Sequence, residues 1–201
     1  MRINVKKILN FVSGGNIGLF SVGIIIFGEL IAFLLFPGYN IFENMVSELG
    51  TGPGGMFFNL SIFISGIIII PYYIKLAQSF DGTNINDKMK QYAIFVAIIS
   101  CVTYSFIGLF PALEENIIIY TIHGTMAAIS IGSGMGYLIF YSILMLKADN
   151  YSNYQAVHGI IVAVFYATFL LTWIPIIEWF MNFAILSWII ANSLYLIKNR
   201  Y

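Results

Sequence analysis

The sequence predicts an all-α polytopic membrane protein: six transmembrane helices in a bundle, both termini cytoplasmic. Three observations carry that prediction. Of 201 residues, 60% are hydrophobic and only 9% are charged, where a soluble domain carries about 25% charged residues. The apolar residues gather in six runs, each close to the roughly 20 residues that cross a bilayer as a helix. All nine Lys and Arg residues, Arg2, Lys6, Lys7, Lys75, Lys88, Lys90, Lys147, Lys198 and Arg200, fall at the two ends of the chain or in the second and fourth connections. The first, third and fifth connections hold only Glu43, Glu48, Glu114, Glu115 and Glu178. Connections rich in Lys and Arg resist translocation, so they stay inside.

The elements follow in order, as a single domain over residues 1–201 with spans near 15–36, 55–78, 90–110, 118–146, 154–174 and 178–197. The amino end has the basic start of a secretion signal, but the run from Ile17 to Phe36 is long enough to span and no small-residue cleavage site follows, so it is expected to stay as the first helix. The longest outer connection, Pro37 to Gly54, contains Gly38, Gly50, Gly52 and Pro53, which favour turns. The inner connection Ser79 to Asp87 is polar and is expected to be mobile. The remaining connections are short, which makes consecutive helices antiparallel neighbours. Continuous apolar runs of this length exclude barrel strands, which alternate over about ten residues.

The odd spans exit with Leu35-Phe36-Pro37, Leu109-Phe110-Pro111 and Trp173-Ile174-Pro175, and Glu43, Glu114 and Glu178 follow. Three related hairpins would produce this. So would the ordinary habit of proline to end helices and of acids to collect outside, which is the favoured reading. In the fourth span Gly124, Ala128, Gly132 and Gly136 recur every four residues, a stripe that suits close helix packing. Gly14 and Gly18 suit the same role in the first. Gly132-Ser133-Gly134-Met135-Gly136 is no phosphate loop, because it lies mid-span with no strand before it. Tyr39, Tyr72, Tyr73, Tyr151, Tyr154, Trp173 and Trp179 fall near span ends, as interfacial aromatic belts do, whereas Trp188 falls mid-span.

Candidate chemistry centres on Glu29, the one formal charge deep in a span, eight residues and about 12 Å of helix before Pro37. A lone carboxylate at that depth costs several kcal/mol on insertion scales of about 2.5–3.5, so it must be protonated, paired or wet. It reads equally as a functional acid or as a neutral acid bonded to a neighbouring helix. His123 lies at matching depth on the same side and is placed to hydrogen-bond it. His158 belongs to the opposite leaflet and reads as interfacial. Each helix offers one polar residue in its outer half: Glu29, Asn59, Ser105, His123, Thr172 and Asn182. These are candidates for one outer pocket, to which the outer loop adds Glu43, Asn44, Ser47, Glu48 and Gly50. Some of them will instead bond their own helix backbone.

Other chemistries lack parts. The single cysteine, Cys101, excludes an intramolecular disulfide and a zinc site of Cys pairs, and reads as a buried structural thiol. No His-Glu-x-x-His or Walker motif is present, so no metal and no cofactor is expected. Ser47 or Ser105 with His123 and Glu29 assembles a hydrolytic triad only on paper, which leaves enzymatic activity undecided. The cations sit at helix ends beside Asp81, Asp87 and Asp149, an arrangement suited to lipid headgroups rather than to nucleic acid.

Two stretches also resemble a known family. They are Phe36-Pro37-Gly38-Tyr39 with Asn44-Met45-Val46-Ser47-Glu48-Leu49-Gly50 and Phe58-Asn59, and Gly108-Leu109-Phe110-Pro111 followed by His123. The chain resembles integral membrane family 998 of the domain-of-unknown-function series, found in archaea and bacteria. Glu48 stands where that family usually carries Asp. A looser similarity is to the Frag1/DRAM/Sfk1-like proteins, which implies a role in lipid handling. The resemblance points to Ser47, Glu48, Gly50, Asn59, Pro111 and His123.

The expected function is to bind, sense or remodel a lipid or other amphiphile through the outer pocket of a multi-pass cell-membrane protein. Expected partners are membrane lipids, with a homo-oligomer or a membrane-complex partner also open. Two alternatives stand: a non-enzymatic scaffold subunit, and a small proton-coupled transporter with Glu29 as carrier.

Overall fold

A computed structural model describes residues 13–200; Arg2, Lys6 and Lys7 lie outside the described residues. The helices are α1 (Gly14–Leu35), α2 (Gly55–Ile68), α3 (Ile70–Gln78), α4 (Asp87–Leu109), α5 (Ile117–Lys147), α6 (Asn153–Thr172) and α7 (Pro175–Lys198), with a 3-10 helix at Val46–Thr51. α2 and α3 form one span, Gly55–Gln78, so six helical units are long and apolar enough to cross a membrane. Among the described residues there is no strand. The fold is an all-α six-helix membrane bundle, as expected.

Local chemistry sets the boundaries. The Ser13 hydroxyl accepts from Asn16 N–H at 3.2 Å to start α1. Asn86 Oδ1 accepts from Lys88 and Met89 at 2.9 and 3.3 Å to start α4, and Asn116 Oδ1 accepts from Ile118 and Ile119, both at 3.2 Å, to start α5. Such caps satisfy amides that have no partner within the helix. Pro175 opens α7, three residues ahead of the expected 178; proline fits the first helical turn because its missing N–H would be unpaired there anyway. Pro71 interrupts the second span at Ile69, since it cannot donate to the preceding turn.

The residue distribution is that of a protein whose solvent is lipid. Leu34 and Leu171 are 71% and 85% exposed. Ser21, Glu29, Ser65, Ser100, His123, Ser130 and Asn192 are buried. Polar groups inside and apolar side chains outside satisfy the chain where no bulk water reaches.

The six spans close into a ring: α1 packs on α2, α2 on α4, α4 on α5, α5 on α6, α6 on α7 and α7 back on α1. One end of the bundle carries the acidic connections and the other the described basic residues. At the basic end the ring is filled across its centre. Tyr73 of α3 hydrogen-bonds Tyr137 of α5 hydroxyl to hydroxyl at 2.8 Å, and Tyr141 OH donates to the Tyr73 carbonyl at 2.9 Å. Trp188 of α7, fully buried, sits 6.4 and 6.2 Å from the rings of Tyr137 and Tyr141.

The start of the connection after α3, residues 79–81, is bonded to the connection after α5 and to α4. Asn150 Nδ2 donates to the Ser79 carbonyl at 2.7 Å and its Oδ1 accepts from Asp81 N–H at 3.1 Å. Asp149 N–H donates to the Asp81 carbonyl at 2.9 Å, and Lys90 Nζ donates to the Phe80 carbonyl at 2.9 Å.

In the stripe Gly124, Ala128, Gly132 and Gly136, the glycines are not points of close helix approach within the chain. A Cβ at Gly124 or Gly132 would meet nothing within 4 Å, and one at Gly136 only a Val96 methyl at 3.3 Å. The close approach in α5 is at Gly134, off that stripe, where a Cβ would lie 2.4 Å from the Tyr166 ring. Gly14 and Gly18 do lie at a tight contact: a Cβ at Gly14 would meet Lys75 Cβ at 2.5 Å, and one at Gly18 the Ser193 hydroxyl at 2.2 Å. The repeated Pro-then-Glu exits do not share a role either, for Glu43 and Glu114 are exposed loop residues while Glu178 lies inside α7.

Candidate functional site: a central cavity open to the acidic end

The ring encloses a cavity of about 360 Å³, within the size range of small-molecule sites. It reaches the acidic end, where the exposed Glu114 and Trp173 line it, and runs inward as far as Tyr73 and Tyr137 of the aromatic plug. Polar groups from most of the spans border it. Its deeper half is lined by Ile25, Ile131, Leu186 and Ile189 together with Ser21, Ser65, Ser100 and Ser130, whose hydroxyls are bonded to backbone carbonyls.

Glu29 is the most buried acid of the cavity, 6% exposed. Its partner is Asn182 of α7, whose Nδ2 donates at 3.0 and 3.1 Å to its two oxygens. The two side chains meet because each lies about two helical turns from the acidic end of its own span, and α1 and α7 are ring neighbours. His123 lines the same cavity but does not bond Glu29. Its Nδ1 pairs with the Phe110 carbonyl at 2.7 Å, a group left free where α4 ends before Pro111. The sequence placed the depth of His123, and only helix rotation decides its partner.

The loop between α1 and α2 forms a cap over this space, held by carboxylates. Glu48 Oε1 accepts from Met45 N–H at 3.1 Å, and its Oε2 accepts from Asn44 Nδ2 at 2.7 Å. Glu178 reaches from α7 and accepts from Val46 N–H at 2.7 Å. Tyr39 OH donates to the Met45 carbonyl at 2.6 Å. Burial raises the Tyr39 phenol above its usual range, and Glu178, Glu48 and Glu29, all within electrostatic reach, push the same way. Ser47 and Glu48 line the cavity; Glu43 is exposed and does not.

Asn59, Ser105 and Thr172 are not among the cavity's lining residues. Asn59 Nδ2 donates to the Gly50 carbonyl at 2.9 Å and a Cβ at Gly50 would sit 2.4 Å from Asn59 Oδ1, so these two lock the loop onto α2. Ser105 donates to its own helix at Cys101, 2.9 Å. Thr172 is exposed and donates to Thr168 at 2.8 Å. Both show the backbone bonding that competes with any pocket role. His158 pairs with Ser187 at 3.0 Å and lies apart from the cavity.

Several lining residues carried no earlier signal. Ser100 and Ser130 bridge α4 and α5 by donating to each other's carbonyls at 2.8 and 3.1 Å. Tyr104, Tyr137 and Tyr166 also line the space. A tyrosine mid-span is unusual enough to flag, because its hydroxyl must find a partner inside the bundle. Glu178 was legible only as an outer acid. Among the described residues, no three His, Cys, Asp or Glu side chains converge closely enough to hold a metal ion.

No curated protein and no solved structure matches the chain. A family model does, over residues 19–195, which span all six helical units in whole or in large part. The chain therefore belongs to the membrane-protein family described as "Protein of unknown function (DUF998)".

Proposed function

We propose that this protein binds an amphiphile in its central cavity, in the cell membrane, with the basic end and both termini cytoplasmic and the cavity opening outward. The observation that carries this is the cavity's polarity gradient. Glu29, Glu178 and Asn182 offer carboxyl and amide groups to its outer half, the deeper lining is Ile25, Ile131, Leu186 and Ile189 with serines whose hydroxyls are spent on backbone carbonyls, and the tyrosine plug closes its inner end. A polar head and an apolar body match those two zones, and a closed inner end suits capture or sensing better than a conduit. The orientation rests on the segregation of Lys and Arg.

Lipid mass spectrometry of the purified protein tests the reading. A retained amphiphile is expected, reduced by narrowing the apolar zone with Ala127→Phe or Ile185→Trp. Retention of the same species at the same level in folded variants of both kinds counts against it.

A second reading, a scaffold subunit or homo-oligomer, draws support from Gly132, which does not line the cavity and beside which this chain's own helices leave the space open. A partner helix seated on α5 would fill it. Chemical cross-linking in native membranes that yields only monomer would remove that reading. A transporter would require the plug to move, and the interruption at Ile69 lies one turn before Tyr72 and Tyr73.

A further inference from the structure

We propose that the cavity selects an organic ammonium as the head group of its ligand, received by Glu29. This rests on the amphiphile reading and adds the charge of the head. Glu29 is 6% exposed and turned into the cavity, and a single amide serves it. An ionised carboxylate offers about four acceptor positions, so Asn182 leaves most of that capacity unused. The neighbouring acids are already engaged by the loop: Glu178 accepts from Val46 N–H and Glu48 from Met45 N–H and Asn44. Glu29 is thus the buried carboxylate left for a ligand.

No Lys or Arg lines the cavity among the described residues. His123 lines the cavity too, but its Nδ1 is engaged by the Phe110 carbonyl and it makes no bond to Glu29, so among the described residues no cation pairs with Glu29, and its charge is met by a ligand or by a proton. At this depth an uncompensated charge is expensive, so a ligand that carries the charge gains what the protein does not supply. Phe58, Tyr104, Tyr166 and Phe169 line the same space, Tyr104 within electrostatic reach of Glu29, and aromatic faces attract ammonium groups. An anionic head would face Glu29, Glu48 and Glu178 with no Lys or Arg among the described residues to offset them. A divalent metal is a poorer occupant, since no three ligating side chains converge. A cavity of about 360 Å³ equals only about a dozen water volumes, enough for a head and a short apolar segment but not for two acyl chains.

The test uses three probes of one chain length: hexyltrimethylammonium, hexanol and hexanoate. They are titrated into the full-length protein in nanodiscs and followed by tryptophan fluorescence, for which Trp173 is a cavity-lining reporter. The ammonium is expected to bind at least about tenfold more tightly than hexanol, with hexanoate weakest. Glu29→Gln should bring the ammonium-to-hexanol ratio to about one while hexanol binding persists, and Glu29→Asp should keep most of the preference. Equal binding of ammonium and hexanol to the wild-type protein overturns the proposal, as does a preference that survives Glu29→Gln. Hexanol binding without charge preference overturns the head-group class and leaves the amphiphile reading standing; no binding by any probe overturns both. The wild-type series decides even if Glu29→Gln fails to fold.

Discussion

Asn182 holds Glu29 by one amide nitrogen shared between both carboxyl oxygens, at 3.0 and 3.1 Å. This joins α1 to α7, the first and last spans of the chain, and closes the ring near the acidic end. The consequence is an asymmetry between the partners. Glu29→Gln keeps an oxygen for Asn182 to donate to, whereas Asn182→Ala leaves the buried carboxyl without its donor. Leaving a buried polar group unpaired costs about 1–3 kcal/mol. Asn182→Ala is therefore expected to lower the melting temperature by several degrees, about 2–4 °C per kcal/mol at this size, and Glu29→Gln by clearly less. Equal losses in the two variants would show that the pair does not bear on stability in this way.

Glu178 ties the loop cap to α7 through Val46 N–H. Its replacement by Ala leaves the Val46 N–H without its acceptor, and an unpaired buried polar group costs about 1–3 kcal/mol. The loss should be local. Hydrogen exchange at the amides of residues 46–51 is expected to accelerate while exchange in α5 stays unchanged. Glu178→Gln, which retains an acceptor oxygen, should recover part of the protection. Unaltered exchange at Val46 in Glu178→Ala would show that this bond does not secure the loop.

Backbone crowding gives a prediction independent of the cavity. A Cβ at Gly108 would sit 2.4 Å from the Asn59 carbonyl oxygen and 2.8 Å from Phe63 N. Neither can swing away as a side-chain tip would, so α4 must move off α2. Overpacking of this kind costs about 1–3 kcal/mol, and Gly108→Ala should unfold measurably earlier on heating. Gly132→Ala is the control, because nothing lies within 4 Å of its Cβ position. Helix propensity alone makes that change neutral or stabilising, by up to about 1 kcal/mol.

Which of these features were legible beforehand follows a physical division. Span number, span limits and depth depend on counting along the chain, and counting placed Glu29, His123 and Asn182 at one level. Rotation about each helix axis does not follow from counting when a span is apolar on every side. Ser105 and Thr172 accordingly turned to their own backbones, and His123 to Phe110. The loop residues Asn44, Glu48 and Gly50 could be flagged by resemblance, but their work is architectural: Glu48 caps the 3-10 helix and Gly50 accepts from Asn59. The tyrosine plug was hidden because Tyr72 and Tyr73 were counted into an interfacial belt. The break at Pro71 and the packing of α3 instead carry Tyr73 across the ring to Tyr137 of α5 and set Tyr72 against Gly18 of α1.

Tyr39 makes the loop cap sensitive to alkali. Its hydroxyl donates to the Met45 carbonyl, a bond only the neutral phenol can make. Burial places its folded-state value above the free phenol's value of 10.0. The sign follows: the contribution is complete below about pH 10 and is lost as pH climbs past it towards the folded value. Wild-type loop amides should therefore lose exchange protection, beyond the intrinsic rise in rate, above that pH. Tyr39→Phe should show a lower protection that does not change across the same interval. A wild-type protection factor flat through strong alkali would contradict the assignment.

Cys101 offers a native reporter of where the cavity opens. It is the single cysteine of the chain, it is buried, and it lines the cavity. A small, impermeant methanethiosulfonate should reach it from the acidic end and not from the basic end, where Tyr73, Tyr137, Tyr141 and Trp188 fill the ring. Comparing sealed vesicles of the two orientations separates the two routes. Tyr73→Phe removes one hydroxyl and leaves the ring in place, so labelling from the basic end should stay negligible. Tyr73→Ala deletes the ring, at a cost of about 3–5 kcal/mol by analogy with other large aromatic truncations, and should admit the reagent from that end. If wild-type Cys101 reacts equally from both faces, the tyrosine cluster is not a seal, and a through-passage, with the transporter reading it favours, gains ground over capture.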